Sequence, residues 1–312
     1  MKITYKLFAL TLLVVFASCK NEKNQSQNPV GENLETLTIT HALGTTEVIK
    51  NPKTIVALDF ASLENLDYLG VKVAGIPKSN IPSYLQKYQE DTSVVDLGTL
   101  KEINFEKLNE LNPDVIFMSA RLQNQYDELA KIAPTIYTEV DYKDYMNAIT
   151  KNLGYFGDIF DENDKINAAI KEIEGKVDEV KQKASDLDQK ALIVLHNNGR
   201  FSAYGKGSRF GVIHDVLGMK EAVQNLEVAR HGQTASNEFI QEANPDYLFV
   251  IDRSAVVDKN ATNKAEIENK LIQQTTAYKN DKIVYLDPEV WYLSGGGIIS
   301  VNKMIGAINE AL

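Results

Sequence analysis

The apolar residues of this chain fall into short β-rich runs separated by helical periods. From Thr36 onward, strand-like runs at 54–59, 71–76, 115–118 and 135–138 alternate with helices at 64–69 and before Asn112. A second series starts at Lys190, with strands at 191–196, 247–251 and 283–286 and a helix around 212–217. Alternation of this kind predicts parallel α/β structure. Between the two series, Ile166, Ile170, Ile173, Val177 and Val180 recur at steps of three or four. That period marks one long amphipathic helix. The pattern predicts two Rossmann-like α/β lobes, 36–160 and 186–312, joined by a single long helix at 161–185. One rigid connection predicts limited opening.

The lobes share a repeated segment. Residues 108–121 read LNELNPDVIFMSAR and residues 240–253 read IQEANPDYLFVIDR, at a constant offset (244 − 112 = 132; 253 − 121 = 132). In each copy a proline stops a helix, a β-rich run follows, and an arginine ends the strand. The carboxyl edge of a parallel sheet is where α/β proteins bind ligands. Arg121 and Arg253 are therefore expected to face each other across a cleft that suits an anionic ligand. A lone arginine of this kind more often pairs with a carboxylate; the matched pair favours the cleft.

Lys2 and Lys6 precede an apolar run at 7–17 that ends in Phe16-Ala17-Ser18-Cys19. Residues 1–18 read as a signal peptide with a lipoprotein-type cleavage site, too short to span a bilayer comfortably. Phe16 stands where such sites usually carry Leu. Cys19, the single cysteine of the chain, is the expected lipidation position, and the polar segment 19–35 reads as a tether. The predicted location is the cell envelope, membrane-anchored and facing the periplasm or the extracellular side. Loss of the two lysines takes the net charge from −10 to −10 − 2 = −12, which disfavours nucleic acid as a partner. With no second cysteine, an internal disulfide is excluded.

Candidate chemistry gathers in three loops. NNGRFSAYGKGSRFG at 197–211 reads as a turn-rich loop carrying Tyr204 and Arg209. It misses both nucleotide-binding glycine patterns: Gly199 to Gly205 has one residue too many for a phosphate loop, and Lys206 is followed by Gly207. His231 lies in Arg230-His-Gly-Gln233, a loop from which an imidazole can reach a ligand or metal. Trp291 and Tyr292 follow Asp287-Pro-Glu-Val ahead of a glycine run, and aromatic rings beside arginines suit flat, electron-rich ligands. There is no nucleophile elbow, HExxH or paired-carboxylate hydrolase pattern, so an enzyme is not expected.

These residues resemble the substrate-binding lipoproteins of ABC importers for ferric siderophores, the class III periplasmic binding proteins, and within them the catecholate-type subgroup. The resemblance covers the chain from about Thr36. It rests on Gly207-Ser-Arg-Phe-Gly211, Arg230-His-Gly-Gln233, Asn244-Pro-Asp246 through Arg253, and Leu286-Asp-Pro288 through Tyr292. It implies that Arg121, Arg209 and Arg253 line the cleft, where the loop and aromatic positions already place Tyr204 and Trp291, and that His231 and Tyr292 are direct iron ligands when a siderophore leaves two positions empty. Ferric iron is a hard cation that favours phenolate oxygen and accepts imidazole. The resemblance further implies no cofactor, an Fe(III)-siderophore complex as ligand, a monomer, and ABC permease subunits as partners. Docking to the permease is expected through Glu64; the matching position in the second lobe is Val212, with Asp215 and Glu221 the nearby acidic candidates. A haem or corrinoid receptor on the same scaffold is the alternative, and it would require an apolar cleft with fewer arginines.

Overall fold

The computed structural model describes residues 35–259 and 261–312. The predicted signal peptide, the Cys19 lipidation position and nearly all of the 19–35 tether lie outside the described residues. A hairpin, β1 (Thr36–His41) and β2 (Gly44–Ile49), comes first. It is followed by β3 (Ile55–Ala57), α1 (Phe60–Leu69), β4 (Gly75–Ile76), β5 (Val95–Asp96), α2 (Phe105–Leu111), β6 (Val115–Met118), β7 (Thr135–Tyr137) and α3 (Tyr145–Phe160). The strands form a wholly parallel sheet in the order β5-β4-β3-β6-β7. Interior β6 reads VIFM with all four residues buried, as a parallel strand covered on both faces requires.

The connector is a single long helix, as the period predicts. Asp161 adopts the left-handed region (φ 54°) and closes α3 at the expected end of the first lobe, and the connector α4 (Asn163–Ser185) follows. Ile166, Ile173, Val177 and Val180 form its buried stripe, which the 3.6-residue period had marked.

The second lobe contains β8 (Lys190–Asn197), β9 (Arg200–Tyr204), β10 (Lys220–Glu221), β11 (Gln233–Ala235), α5 (Asn237–Ala243), β12 (Tyr247–Asp252), α6 (Arg253–Val257), β13 (Ile283–Leu286) and α7 (Ile298–Ala311). Its sheet runs β11-β9-β8-β12-β13, with β10 alongside β8. Here the expected loop at 197–211 is partly a strand: β9 returns antiparallel to β8. Asn198 (φ 50°) and Gly199 (φ 77°) form the intervening turn, and an Asn-Gly pair is the residue choice for a two-residue hairpin with both φ angles positive.

The repeated segment does the same work in both lobes. Helices α2 and α5 each end at an asparagine in the left-handed region, Asn112 and Asn244, and the following proline cannot extend the helix. Asp114 then accepts from the backbone N–H groups of Lys53 and Thr54 at 2.8 and 2.7 Å, and Asp246 accepts from that of Lys190 at 2.8 Å. Each aspartate pins its turn to the start of a central strand. Helix α7 leaves the second sheet and packs on α1 and α4, so one apolar cluster runs from Ile39 through Phe117, Ile193 and Trp291 to Ile308. Among the described residues no helix is long and apolar enough to cross a membrane.

Candidate functional site

The segment after β13 carries the site. Residues Glu289–Leu293 form a π-helical turn, a geometry that recurs at functional positions. The turn buries Val290, Trp291 and Leu293 and leaves Tyr292 half-buried at the junction of the lobes. The first lobe holds this segment through Ser83, whose backbone N–H and hydroxyl donate to Glu289 at 2.8 and 2.6 Å, and Tyr145, whose hydroxyl donates to the Gly295 carbonyl at 2.9 Å.

Three guanidiniums converge on Tyr292. Arg121 comes from the turn after β6, Arg209 from the loop after β9 and Arg253 from the first position of α6, just past β12. Their central carbons lie 5.8, 4.5 and 5.6 Å from the Tyr292 ring centroid. Arg121 donates to the Tyr292 carbonyl at 2.6 Å and to the Leu293 carbonyl at 3.3 Å, and Arg209 also donates to the Tyr292 carbonyl. Arg253 donates through Nε to the Tyr292 phenol oxygen at 2.9 Å and through Nη1 to Asn197 Oδ1 at 2.7 Å. Among the described residues none of the three forms a salt bridge. The cluster therefore concentrates positive charge with no carboxylate at salt-bridge distance, the buried Asp59 acting on Arg121 only from farther off.

The titration behaviour follows from that charge. Burial pushes the Tyr292 phenol up, but the Arg253 hydrogen bond and the three guanidinium charges outweigh it and hold the phenol below its ordinary value. Burial first, and then the neighbouring Arg209, draw the Arg121 guanidinium down to about 10. It stays cationic at neutral pH.

Other expected residues take different places. Trp291 is 2% exposed and meets Phe210 edge-on with centroids 6.5 Å apart; the π-helical turn that presents Tyr292 rotates its neighbour into the core, so Trp291 is no cleft-lining ring. Tyr204 is also 2% exposed, edge-on to Phe210 at 4.7 Å, with its hydroxyl pushed up to about 12 by burial although Arg209 pulls it back. It supports the site from beneath. Glu64 is fully buried, accepting from Tyr84 and Ser294 hydroxyls at 2.6 Å and from the Ser300 backbone N–H at 2.7 Å. A carboxylate so enclosed joins α1 to the start of α7 and offers nothing to a permease. Asp215 and Glu221 accept from the Gly207 and Lys206 backbone N–H groups at 2.6 and 3.0 Å, and so tie down the loop that carries Arg209.

His231 is exposed in the loop before β11. That loop rests on Tyr204: a Cβ built at Gly232 would lie 2.8 Å from the Tyr204 ring. His196 is buried, with Nδ1 3.0 Å from Asp252 and Nε2 accepting the Gly199 backbone N–H at 2.9 Å. The acceptor role of Nε2 places the proton on Nδ1, and the residue braces the hairpin turn. Two residues absent from the expectation join the site: Asn197, which orients Arg253, and Tyr142, an exposed ring on the β7–α3 loop near enough to Arg121 and Tyr204 to affect their titration. Beyond Leu293, a cavity of about 620 Å³ lies between Lys78, Asp96 and Thr99 of the first lobe and Ala255 and Lys259 of the second.

The carboxyl edges of the two sheets thus meet over the arginine cluster, the arrangement of a two-lobed binding protein. Residues 55–290 match the periplasmic binding protein family, and the chain belongs to it. It is 41% identical to the petrobactin-binding protein YclQ of Bacillus subtilis over 100% of this chain and 99% of that protein. The crystal structure of YclQ superposes with a TM-score of 0.86, covering 89% of this chain and 98% of that one. The ferric-anguibactin-binding protein FatB of Vibrio anguillarum is 38% identical, over 95% of this chain and 93% of its own. The periplasmic catecholate-siderophore binding protein VctP of Vibrio cholerae is 32% identical with a TM-score of 0.85, covering 88% of this chain and 100% of that one.

Proposed function

We propose that this chain is the extracytoplasmic receptor of an ABC importer, which captures a ferric catecholate siderophore between its lobes and hands it to the permease. The observation that carries the reading is the convergence of Arg121, Arg209 and Arg253 on Tyr292 with no carboxylate partner. A ferric catecholate complex is anionic and flat-faced, and planar guanidiniums both neutralise such a ligand and stack on its rings. Tyr292, its phenol already biased toward phenolate, supplies one iron ligand, and His231, on the loop beside Tyr204, supplies a second for complexes that leave two positions empty. The cavity beyond Leu293 is of the size that holds small ligands and takes the body of the complex. Residues 36–160 and 186–312 act as the two lobes and 161–185 as their connector. Cys19 carries the lipid anchor, and the receptor works as a monomer. No chemistry is asked of the protein. A haem or corrinoid ligand fits poorly beside three guanidiniums, which such a ligand would leave desolvated and only partly compensated.

Titration with a ferric bis-catecholate, a ferric hydroxamate and haem tests the assignment through quenching of Trp291, the single tryptophan, which sits next to Tyr292. Tight quenching by the catecholate alone is expected. Quenching by haem or the hydroxamate with none by the catecholate overturns the ligand assignment and leaves the scaffold in place.

A further inference from the structure

His196 and Asp252 lie opposite each other on the adjacent interior strands β8 and β12. Both are buried, 2% and 4% exposed, with the imidazole Nδ1 3.0 Å from the carboxylate. Among the described residues neither bonds to an arginine. A carboxylate so deep is costly unless it is paired and hydrogen-bonded, and the other bonds of the pair all lead toward one guanidinium.

Two routes reach Arg253. Asp252 caps α6, its Oδ1 also accepting the Ser254 backbone N–H at 3.1 Å, which fixes the backbone on both sides of Arg253. His196 Nε2 accepts the Gly199 backbone N–H at 2.9 Å and so closes the turn that begins at Asn197, the residue whose Oδ1 accepts from Arg253 Nη1 at 2.7 Å. The turn is fastened to α6 twice more: the Asn198 backbone N–H donates to the Ser254 hydroxyl at 2.9 Å, and the Asn198 side-chain amide donates to Asp258 at 3.0 Å. Turn and helix are thus one bonded unit, and from it Arg253 Nε meets the Tyr292 phenol. Asp252 is also the residue next to Arg253, yet Arg253 forms no salt bridge among the described residues.

We infer that His196 and Asp252 are a positioning pair for Arg253. They touch no ligand. His196 holds the carboxylate away from the neighbouring guanidinium and closes the turn that orients it, so the charge of Arg253 stays available to an anion and its Nε stays on Tyr292. The consequence for ferric catecholate capture rests on the function proposed above; the placing of the guanidinium does not.

A test variant must not strand the buried carboxylate, which would cost folding and not placement alone. His196→Phe/Asp252→Ser removes both members together. It keeps an aromatic ring beside Phe201, whose centroid lies 5.2 Å from that of His196, and a serine that can cap α6. In the full chain carrying isotope-labelled arginine, hydrogen exchange at the Arg253 Nε–H reads the guanidinium directly, its signal assigned by loss in Arg253→Lys. Exchange is expected to be about tenfold faster in the double variant, the worth of one charge-assisted hydrogen bond, and affinity for a ferric bis-catecholate to fall by a similar factor. His196→Asn is the milder second variant: its amide can still donate to Asp252 while the Gly199 bond is lost, and exchange about threefold faster is expected, the worth of one neutral bond. It judges the pair alone if the double variant does not fold. Exchange at the parent's rate, with a lowered melting temperature or without, makes the pair a structural brace only and overturns the inference. If the parent binds no ferric catecholate, the ferric reading has failed, and the exchange measurement still decides whether the pair places Arg253.

Discussion

Arg209→Ala removes the guanidinium closest to the Tyr292 ring, 4.5 Å from its centroid. A ferric catecholate seated on that ring brings its negative charge to a similar distance. At an effective dielectric of about 20, unit charges about 5 Å apart attract by about 3 kcal/mol. Part of this returns when the mutation relieves repulsion on Arg121, whose guanidinium Arg209 helps to draw down. A net loss of about 2 kcal/mol corresponds to an affinity about 30-fold weaker. Arg209→Lys keeps the charge but not the planar face and is expected to lose about fivefold. Because Arg209 also lies 5.3 Å from the Phe210 ring, against which the tryptophan packs, the complex is better followed by its ligand-to-metal charge-transfer band than by fluorescence. A neutral ferric hydroxamate serves as the control, and thermal melts confirm that the variants fold. A loss below threefold, or an equal loss for the neutral complex, refutes the charge-neutralisation argument.

Ultraviolet difference titration of the apo-protein is expected to show one tyrosine ionising below the ordinary phenol value near 10, absent in Tyr292→Phe, because six other tyrosines are pushed upward. For a depressed phenol, the stability contribution is fully present above the unfolded value and is lost as pH falls through the folded one; affinity for a tetradentate ferric complex should weaken over the same descent. Glu64→Ala strands the Tyr84, Ser294 and Ser300 donors, at about 3 kcal/mol, or about 6 to 10 °C of melting temperature in a chain of this size. An unchanged melt would restore a surface role. Trp291→Phe is expected to lower the melting temperature by about 3 to 6 °C, as a repacked core residue does, with ferric catecholate affinity held within twofold; a tenfold weaker affinity would return the indole to the cleft.

The apolar period made the two parallel α/β series legible, because strands buried on both faces and a striped helix write their environment directly into residue type. Asn112-Pro-Asp114 and Asn244-Pro-Asp246 were readable as turns for the same reason, proline and left-handed asparagine being local constraints. The β8–β9 hairpin was readable as well, through Asn198-Gly199, but the glycines that follow drew the segment toward a loop. The start of the connector near Asp161 was readable too, because its apolar stripe begins at Ile166 and keeps one period to Val180. Trp291 and Glu64 could not be placed from type alone: a π-helical turn decides which of two adjacent aromatics faces the junction, and a buried carboxylate is sustained only by donors 20 and more than 200 positions away, Tyr84, Ser294 and Ser300. Tyr142 gives no motif, and only the fold brings it beside Arg121.

The central claim is tested most directly by the iron-edge anomalous difference map of crystals grown with a ferric bis-catecholate. A single iron peak within coordination distance of the Tyr292 phenol oxygen, ringed by Arg121, Arg209 and Arg253, is the predicted result. An iron peak away from all four residues, in the cavity between Lys78 and Lys259 or on the surface, would contradict it.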